Sequence, residues 1–191
     1  SHIKRLKDAE VPTDLFLASI SEFGQFLGPC FLQLGDNFTP KSLPVLEEYL
    51  KYLPTDLAVF VELRHEGWFL EEANRNQVFD MFATLNKGAV ITDASGRRDC
   101  VHMELTIPEI FIRFVGNGSA HQDSDFARID DWVVRIKEWL DKGLEKVYFF
   151  LHQHDEKDTP ILADYTIKQF NKHLGSKIPE INFITKTGEL F

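Results

Sequence analysis

Five short, nearly unbroken apolar runs, each ending abruptly in polar residues, constrain the fold of this chain more than any other feature. The runs cover residues 30–34, 57–64, 89–93, 110–116 and 147–153. Strands that are apolar on both faces are covered on both sides, which is typical of parallel α/β sheets. Such proteins build their sites from polar groups at the carboxyl ends of the strands. The runs therefore predict a fold and the place of a site, but they do not identify a reaction.

Segments with helical periodicity alternate with these runs. The first is a stripe of Phe16, Ile20, Phe23 and Leu27, with Thr13 as its N-cap. Four more follow the first, second, fourth and fifth runs, within residues 39–53, 78–85, 126–139 and 159–174. The segment 94–109 between the third and fourth runs is long enough for a short helix at most.

This alternation predicts a parallel sheet with right-handed crossovers, and two architectures fit it. One is an open, doubly wound sheet of five strands. The other is a TIM (β/α)8 barrel of which this chain carries strands four to eight and lacks the first three. Because such barrels average about 250 residues and this chain opens on a helix, we expect residues 1–191 to form a single, incomplete barrel domain. Residues 177–191 are expected to add an edge strand or a packing arm.

Composition narrows the class of protein. Apolar residues make up 43 % of the chain and Phe alone occurs 17 times, which excludes global disorder. The net charge of −9, without a basic stripe, argues against a nucleic-acid partner and against an anionic membrane surface. Cys30 and Cys100 lack metal-like spacing, so we expect buried, reduced thiols in a cytoplasmic protein.

Several motifs of the chain resemble the YecE-like family, known as domain of unknown function 72. Residues 26–34, FLGPCFLQL, resemble that family's "LGP-x-L-x-QLPP" segment, and residues 61–69, VELRHEGWF, resemble its "EFRHPSWF" signature. Further similarities lie in residues 90–93, 110–116 and 147–154, and Ser1-His2 with Arg5-Leu6 resembles an "ITH…RL" segment. The similarity extends from Ser1 to about Gly175 and implies a (β/α)8 barrel whose N-terminal third, with its "GCSGW" and "VEINSTFY" strands, is absent here.

The chain departs from the family pattern at four places. Leu34-Gly35-Asp36 replaces Leu-Pro-Pro, and Glu66-Gly67 replaces Pro-Ser before Trp68. Val115 stands where the family often has His, and His152-Gln153 where it often has Asn-Asn. The resemblance therefore transfers no role to these positions, and it implies no activity.

Polar side chains within or just after the apolar runs are the candidate site. The period of a strand places Glu62 and Arg64 on one face, and Arg113 lies within its run, where an unpaired charge would be prohibitively costly. In the functional interpretation the two arginines bind a carboxylate or phosphate, and Glu62 or Asp93 acts as general base or second anchor. The other predicted ligand contacts are Gln33, His65, Trp68, His152 and Gln153.

Three interpretations of these residues remain open at this point. The first is a (β/α) protein that binds a small anion at its strand ends, as an enzyme or a former enzyme. The second is a metal-dependent hydrolase or isomerase with Glu62, Asp93 and His152 as ligands, although the chain carries no ligand spacing specific for a metal. The third is a non-catalytic binding or scaffold protein, in which Arg64 and Arg113 simply neutralise Glu62 and Asp93. No cofactor is indicated.

An incomplete barrel would leave two unpaired sheet edges. We therefore expect either a homodimer or a companion segment that supplies the first three strands.

Overall fold

A computed structural model describes residues 5–183, with five strands where the apolar runs predict them. The strands are β1, Cys30–Gln33; β2, Val59–Glu62; β3, Gly88–Ala94; β4, Glu109–Val115; and β5, Lys146–His152. Each boundary lies within two residues of the prediction, which is confirmed. The motif at Ser1-His2 and the end of the predicted arm, from residue 184, lie outside the described residues. Residues 177–183 of that arm have no regular secondary structure.

The strands follow one another in the sheet in chain order, β1-β2-β3-β4-β5. β1 pairs with β2 in parallel, with Gln33 opposite Glu62, and β2 pairs with β3 in parallel, with Phe60 opposite Gly88. Within residues 5–183 this order contains no reversal. A doubly wound sheet requires such a reversal, so these strands do not have the doubly wound order.

Six α-helices occur in the described residues. They are α1, Glu10–Ser21; α2, Leu43–Tyr52; α3, Gly67–Leu70; α4, Glu72–Thr84; α5, Gln122–Leu140; and α6, Thr159–Leu174. The segment between β3 and β4 holds only a 3-10 turn, Arg98–Cys100, as its length predicts. The left-handed Gly175 ends α6, where glycine relieves the steric cost of a positive φ.

The prediction for the first helix is wrong in two respects. Thr13 is not its N-cap, because α1 begins at Glu10, and the buried Thr13 hydroxyl instead hydrogen-bonds to the Tyr49 hydroxyl at 2.9 Å. The predicted stripe does not reach the core either. The helix ends at Ser21, and Phe16 and Phe23 are 51 % and 60 % exposed.

The chain divides into two compact units. The first comprises the described residues up to Phe114 together with Leu144–Phe150, and the second comprises Val115–Gly143 with the described residues from Leu151 onwards. In the second unit α5 and α6 contact each other, and the rings of Phe126 and Tyr165 stack with centroids 3.8 Å apart.

In the first unit the two faces of the sheet carry different side chains. One face packs Val59, Val61 and Ala89 into a core with the apolar residues of α2 and α4. The other face joins Phe60, Val90 and Phe111 in a separate cluster. Gly88 gives the Phe60 ring its space, since a Cβ on Gly88 would lie 2.1 Å from Phe60 Cδ1.

No helix in residues 5–183 is long and apolar enough to cross a membrane. Both cysteines are free, Cys100 buried and Cys30 half-buried.

Candidate functional site

Glu62, the last residue of β2, is the centre of the candidate site. Its side chain is 1 % exposed, and each carboxylate oxygen accepts a hydrogen bond from a different arginine. Arg64 Nε donates to Oε1 at 2.8 Å, and Arg113 Nη1 donates to Oε2 at 2.5 Å. Burial of the carboxylate is thus compensated by two charge-assisted bonds.

Gln33 joins this group from β1. Its Oε1 accepts a second hydrogen bond from Arg113 Nη1 at 3.2 Å. The Arg113 guanidinium also lies over the Phe31 ring, 5.5 Å from its centroid, a cation–π distance. Since β1 and β4 are three places apart in the sheet, about 14 Å in a flat one, these contacts require the sheet to curve strongly towards this face.

The group carries an excess of positive charge. Two guanidiniums face one carboxylate and one neutral amide, and the side chains of Arg64 and Arg113 are 33 % and 16 % exposed. Within residues 5–183 the side chain of Arg64 hydrogen-bonds only through Nε. Its outer nitrogens, Nη1 and Nη2, are therefore available to a further acceptor, and together they form the fork that binds carboxylate or phosphate.

The loop after β3 holds the backbone of Arg64, and the sequence reasoning missed this loop. The Arg64 carbonyl accepts hydrogen bonds from Arg97 Nη2 and, at 3.0 Å, from the Cys100 thiol. Arg97 also donates to Asp36 at 2.9 Å, and that hydrogen bond raises the pKa of Arg97. Burial raises the pKa of Cys100 to about 11, so its thiol keeps the proton that it donates.

Asp93 lies on the other face of the sheet. Val90 belongs to the cluster of Phe60, so the alternation of β3 turns Asp93 to the opposite side from Glu62. Its buried carboxylate accepts from Arg98 Nη1 at 2.6 Å. The structure therefore does not bring Asp93 together with Glu62, because the two residues occupy opposite phases of the strand period.

Trp68 and His65 are positioned by local contacts. Trp68 is completely buried, and its indole N–H donates to the Phe38 carbonyl at 2.7 Å. The structure therefore does not expose this ring to a ligand, whereas the sequence predicted a ligand contact. His65 Nδ1 accepts from the Gly67 N–H at 3.0 Å. Both side chains stabilise the turn from β2 into α3.

His152 and Gln153 belong to the second unit. His152 Nδ1 lies 3.5 Å from Glu156 Oε1. Gln153 is 8 % exposed and its Oε1 accepts from the Gly118 N–H at 2.9 Å, so its amide holds the loop after β4.

The same loop is held by Asp125, a residue of α5 that the sequence reasoning did not single out. Asp125 is fully buried, and its Oδ2 accepts from the Asn117 N–H at 2.7 Å. A Cβ on Gly116 would lie 2.4 Å from Gln153 Oε1, so this backbone packs against its anchors. The sequence offers one signal for this contact, which is an aspartate in the first turn of a helix that follows a Gly-rich turn.

No group of three His, Cys, Asp or Glu side chains in residues 5–183 is placed to hold a metal ion. The metal interpretation needed Glu62, Asp93 and His152 as one ligand set. Glu62 and Asp93 lie on opposite faces of the sheet, and both oxygens of Glu62 accept from arginines. That ligand set is not assembled.

The fold and site define an α/β protein with a parallel sheet and a buried glutamate held by two arginines at its strand ends. The chain belongs to the family described as "Protein of unknown function DUF72", which it matches over residues 1–182. The match extends beyond Gly175, where the resemblance in sequence ended.

The chain is similar to the UPF0759 protein YecE of Escherichia coli. It is 27 % identical to the protein of strain O157:H7 and 26 % identical to that of strain K12, over 96 % of this chain and 71 % of either relative.

Two solved structures share its fold. One is a DUF72 family protein from Enterococcus faecalis V583, with a TM-score of 0.71 at 16 % identity over 95 % of this chain and 71 % of that chain. The other is a DUF72 family protein from Thermotoga maritima MSB8, with a TM-score of 0.68 at 18 % identity over 89 % of this chain and 67 % of that chain.

Proposed function

We propose that this protein binds a small anion, a carboxylate or phosphate, at the carboxyl ends of β2 and β4. The observation that carries the proposal is the convergence of Arg64 and Arg113 on the single buried carboxylate of Glu62. One positive charge is left over, and the free fork of Arg64 offers it to a ligand.

Glu62 acts in this proposal as an anchor for the two arginines. Its carboxylate is 1 % exposed and each oxygen already accepts a guanidinium N–H, so the site presents guanidinium groups to a ligand and not a carboxylate. The function supported best is therefore recognition of an anion. The scaffold interpretation, in which the arginines only neutralise Glu62, makes the opposite prediction for binding.

Calorimetric titration with inorganic phosphate and with acetate, in a buffer free of other oxyanions, separates the two. The variant Arg64→Met removes the fork but keeps an apolar stem. Arg135→Met is the matched control, because Arg135 forms an exposed pair with Glu138 within α5. We expect Arg64→Met to weaken binding at least ten-fold and the control to leave it unchanged. Equal binding by both variants, or none by the natural chain, contradicts the proposal.

We further propose that the sheet forms five strands of a (β/α)8 barrel. Two observations support this: the strands lie in chain order, and side chains of β1 and β4 meet across the face that a barrel would enclose. In this architecture Glu62, Arg64 and Arg113 point into the mouth of the barrel. A crystal structure in which β1 and β5 both pair with further strands of a closed sheet would support the proposal, and an open sheet would contradict it.

A further inference from the structure

The face of the sheet that carries Glu62 has a layer of polar side chains next to a layer of apolar ones. Phe60, Val90 and Phe111, from β2, β3 and β4, form one apolar cluster. The residue two places nearer the carboxyl end of each strand points to the same face, because side chains alternate along a strand. β1 adds Gln33, which pairs with Glu62. The polar layer therefore comprises Gln33, Glu62, Thr92 and Arg113.

Thr92 differs from the other members of the polar layer because its side chain makes no hydrogen bond. Gln33, Glu62 and Arg113 bind one another. Within residues 5–183 the Thr92 hydroxyl is the only buried side-chain oxygen without a hydrogen-bond partner. A buried hydroxyl without a partner destabilises a protein, and a valine of the same shape would avoid this cost. The sheet thus carries an unfavourable group at the level of the candidate site.

The sheet begins to open towards solvent at Thr92. The residues of β3 from Gly88 to Ile91 are buried, and Thr92 is the first that is only half-buried. Since its hydroxyl is covered, the exposed surface of Thr92 belongs to its other atoms. One step of χ1 between staggered positions moves the hydroxyl relative to these atoms and leaves the backbone in place. The hydroxyl can therefore turn towards an acceptor that arrives beside the arginines.

Arg64 lies next to Thr92 across the gap between two neighbouring strands. Phe60 pairs with Gly88, and the same register, continued for four residues, places Arg64 opposite Thr92. Neighbouring strands are about 4.8 Å apart. Arg64 Nε bonds to Glu62, so its side chain lies on the same face as Thr92. The free fork of Arg64 and the unpaired hydroxyl thus occupy the same level of one face.

We propose that Thr92 donates a further hydrogen bond to the bound anion and makes the site selective for a tetrahedral oxyanion, a phosphate group, over a planar carboxylate. This inference rests on the proposed function and narrows its ligand class. The fork of Arg64 binds two oxygens of either anion. A carboxylate has no other oxygen, whereas a phosphate has a third, outside the plane of the fork, that accepts from the Thr92 hydroxyl.

Calorimetric titration of Thr92→Val with inorganic phosphate and with acetate tests this selectivity, because valine keeps the shape of threonine and lacks the hydroxyl. We expect phosphate to bind at least about five-fold more weakly than to the natural chain, and acetate to bind as before. Each anion is compared with itself, so the difference between their charges cancels. Thr92→Ser, which keeps the hydroxyl, should bind phosphate nearly as tightly as the natural chain.

The free energy of unfolding in urea, without phosphate, separates this role from a structural one. Because the hydroxyl is unpaired in the free protein, Thr92→Val should be at least as stable as the natural chain. The matched control is Thr106→Val, since the Thr106 hydroxyl donates to the Lys87 carbonyl at 2.7 Å, before β3 and β4 begin. The control should be less stable and bind phosphate unchanged. A similar loss of stability in Thr92→Val would contradict the inference.

Each remaining outcome of the titrations is decisive. Unchanged phosphate binding by Thr92→Val overturns the inference and leaves the anion site standing, and so does a natural chain that binds acetate alone. An equal loss for both anions also overturns the inference, because Thr92 would then serve a carboxylate as well as a phosphate. Binding of neither anion by the natural chain overturns the proposed function and the inference together.

Discussion

Arg113 Nη1 lies 2.5 Å from Glu62 Oε2, although β3 separates the two strands that carry these residues. The side chains meet above β3, where that strand turns Gly88 and Val90 to the same face. The contact therefore depends on the order of the strands, on the curvature of the sheet and on the opposite charges of the two side chains.

Replacing Glu62 by glutamine should destabilise the protein. The change keeps the shape of the side chain but leaves two neighbouring guanidiniums without their carboxylate. We expect a loss of about 2–4 kcal/mol in the free energy of unfolding, below the full cost of a broken buried pair because Arg64 is partly exposed. Equilibrium unfolding in urea measures this change in the free energy of unfolding. Glu138→Gln, in an exposed pair with Arg135, should cost less than about 0.5 kcal/mol, and equal costs would argue against the site.

Adding one methyl group to Gly88 should also destabilise the fold. In Gly88→Ala the new Cβ would lie 2.1 Å from Phe60 Cδ1, and Phe60 is fully buried against Phe111 and Tyr148. Overpacking of this kind costs about 1–3 kcal/mol. Thermal unfolding should show a lower Tm than in Gly96→Ala, where a Cβ meets no atom within 4 Å. Identical Tm values would mean that Phe60, Phe111 and Tyr148 are loosely packed.

His102 should make stability depend on pH. Burial lowers its pKa from 6.5 to about 4, because the ring packs beside Phe69 and Phe79 and its Nε2–H donates to the Val90 carbonyl. The unfolded chain binds this proton more readily, so the contribution is present above pH 6.5 and is lost as the pH falls towards 4. It amounts to about 3 kcal/mol at most.

The comparison that isolates His102 is with His102→Phe, which keeps an aromatic ring and cannot titrate. The free energy of unfolding of both proteins should be measured between pH 4 and pH 7. We expect the natural chain to lose stability more steeply than the variant over this range. Parallel pH profiles would show that the imidazole is charged, or solvated, in the folded protein.

The Cys100 thiol should resist alkylation in the folded protein. It is 4 % exposed, its pKa is raised to about 11 by burial, and it donates to the Arg64 carbonyl. In Cys30→Ser, iodoacetamide at pH 8 should label Cys100 only after urea is added. Rapid labelling without urea would show that the loop over Arg64 opens freely.

Much of the fold could be predicted, because its strands are apolar on both faces and their ends are sharply polar. The same reasoning failed for α1, where the stripe of Phe16 and Phe23 has helical spacing but remains exposed. Periodicity shows which residues share a face, and it does not show what covers that face. The helix boundary at Glu10 was also hidden, because its N-cap is Ala9, which carries no capping group, whereas Thr13 is a good capping residue.

The part of the candidate site that depends on the periodicity of a single strand could be predicted. Glu62 and Arg64 share a face through the period of β2, and Arg113 needed a partner wherever it lay. Asp93 was grouped with them in error, since Val90-Ile91-Thr92-Asp93 is apolar on both faces before its end and does not reveal which face meets Glu62. Arg97 and Asp36 were missed because their contact spans 61 residues and leaves no local pattern.

The most direct test of the central claim, that Arg64 and Arg113 form an anion site, is anomalous diffraction from crystals soaked in sodium selenate. We predict an anomalous peak whose oxygens lie about 2.7–2.9 Å from the outer nitrogens of Arg64, with Arg113 beside it and Glu62 behind. A map with selenate at other surfaces and no peak at Arg64 and Arg113 would contradict the account.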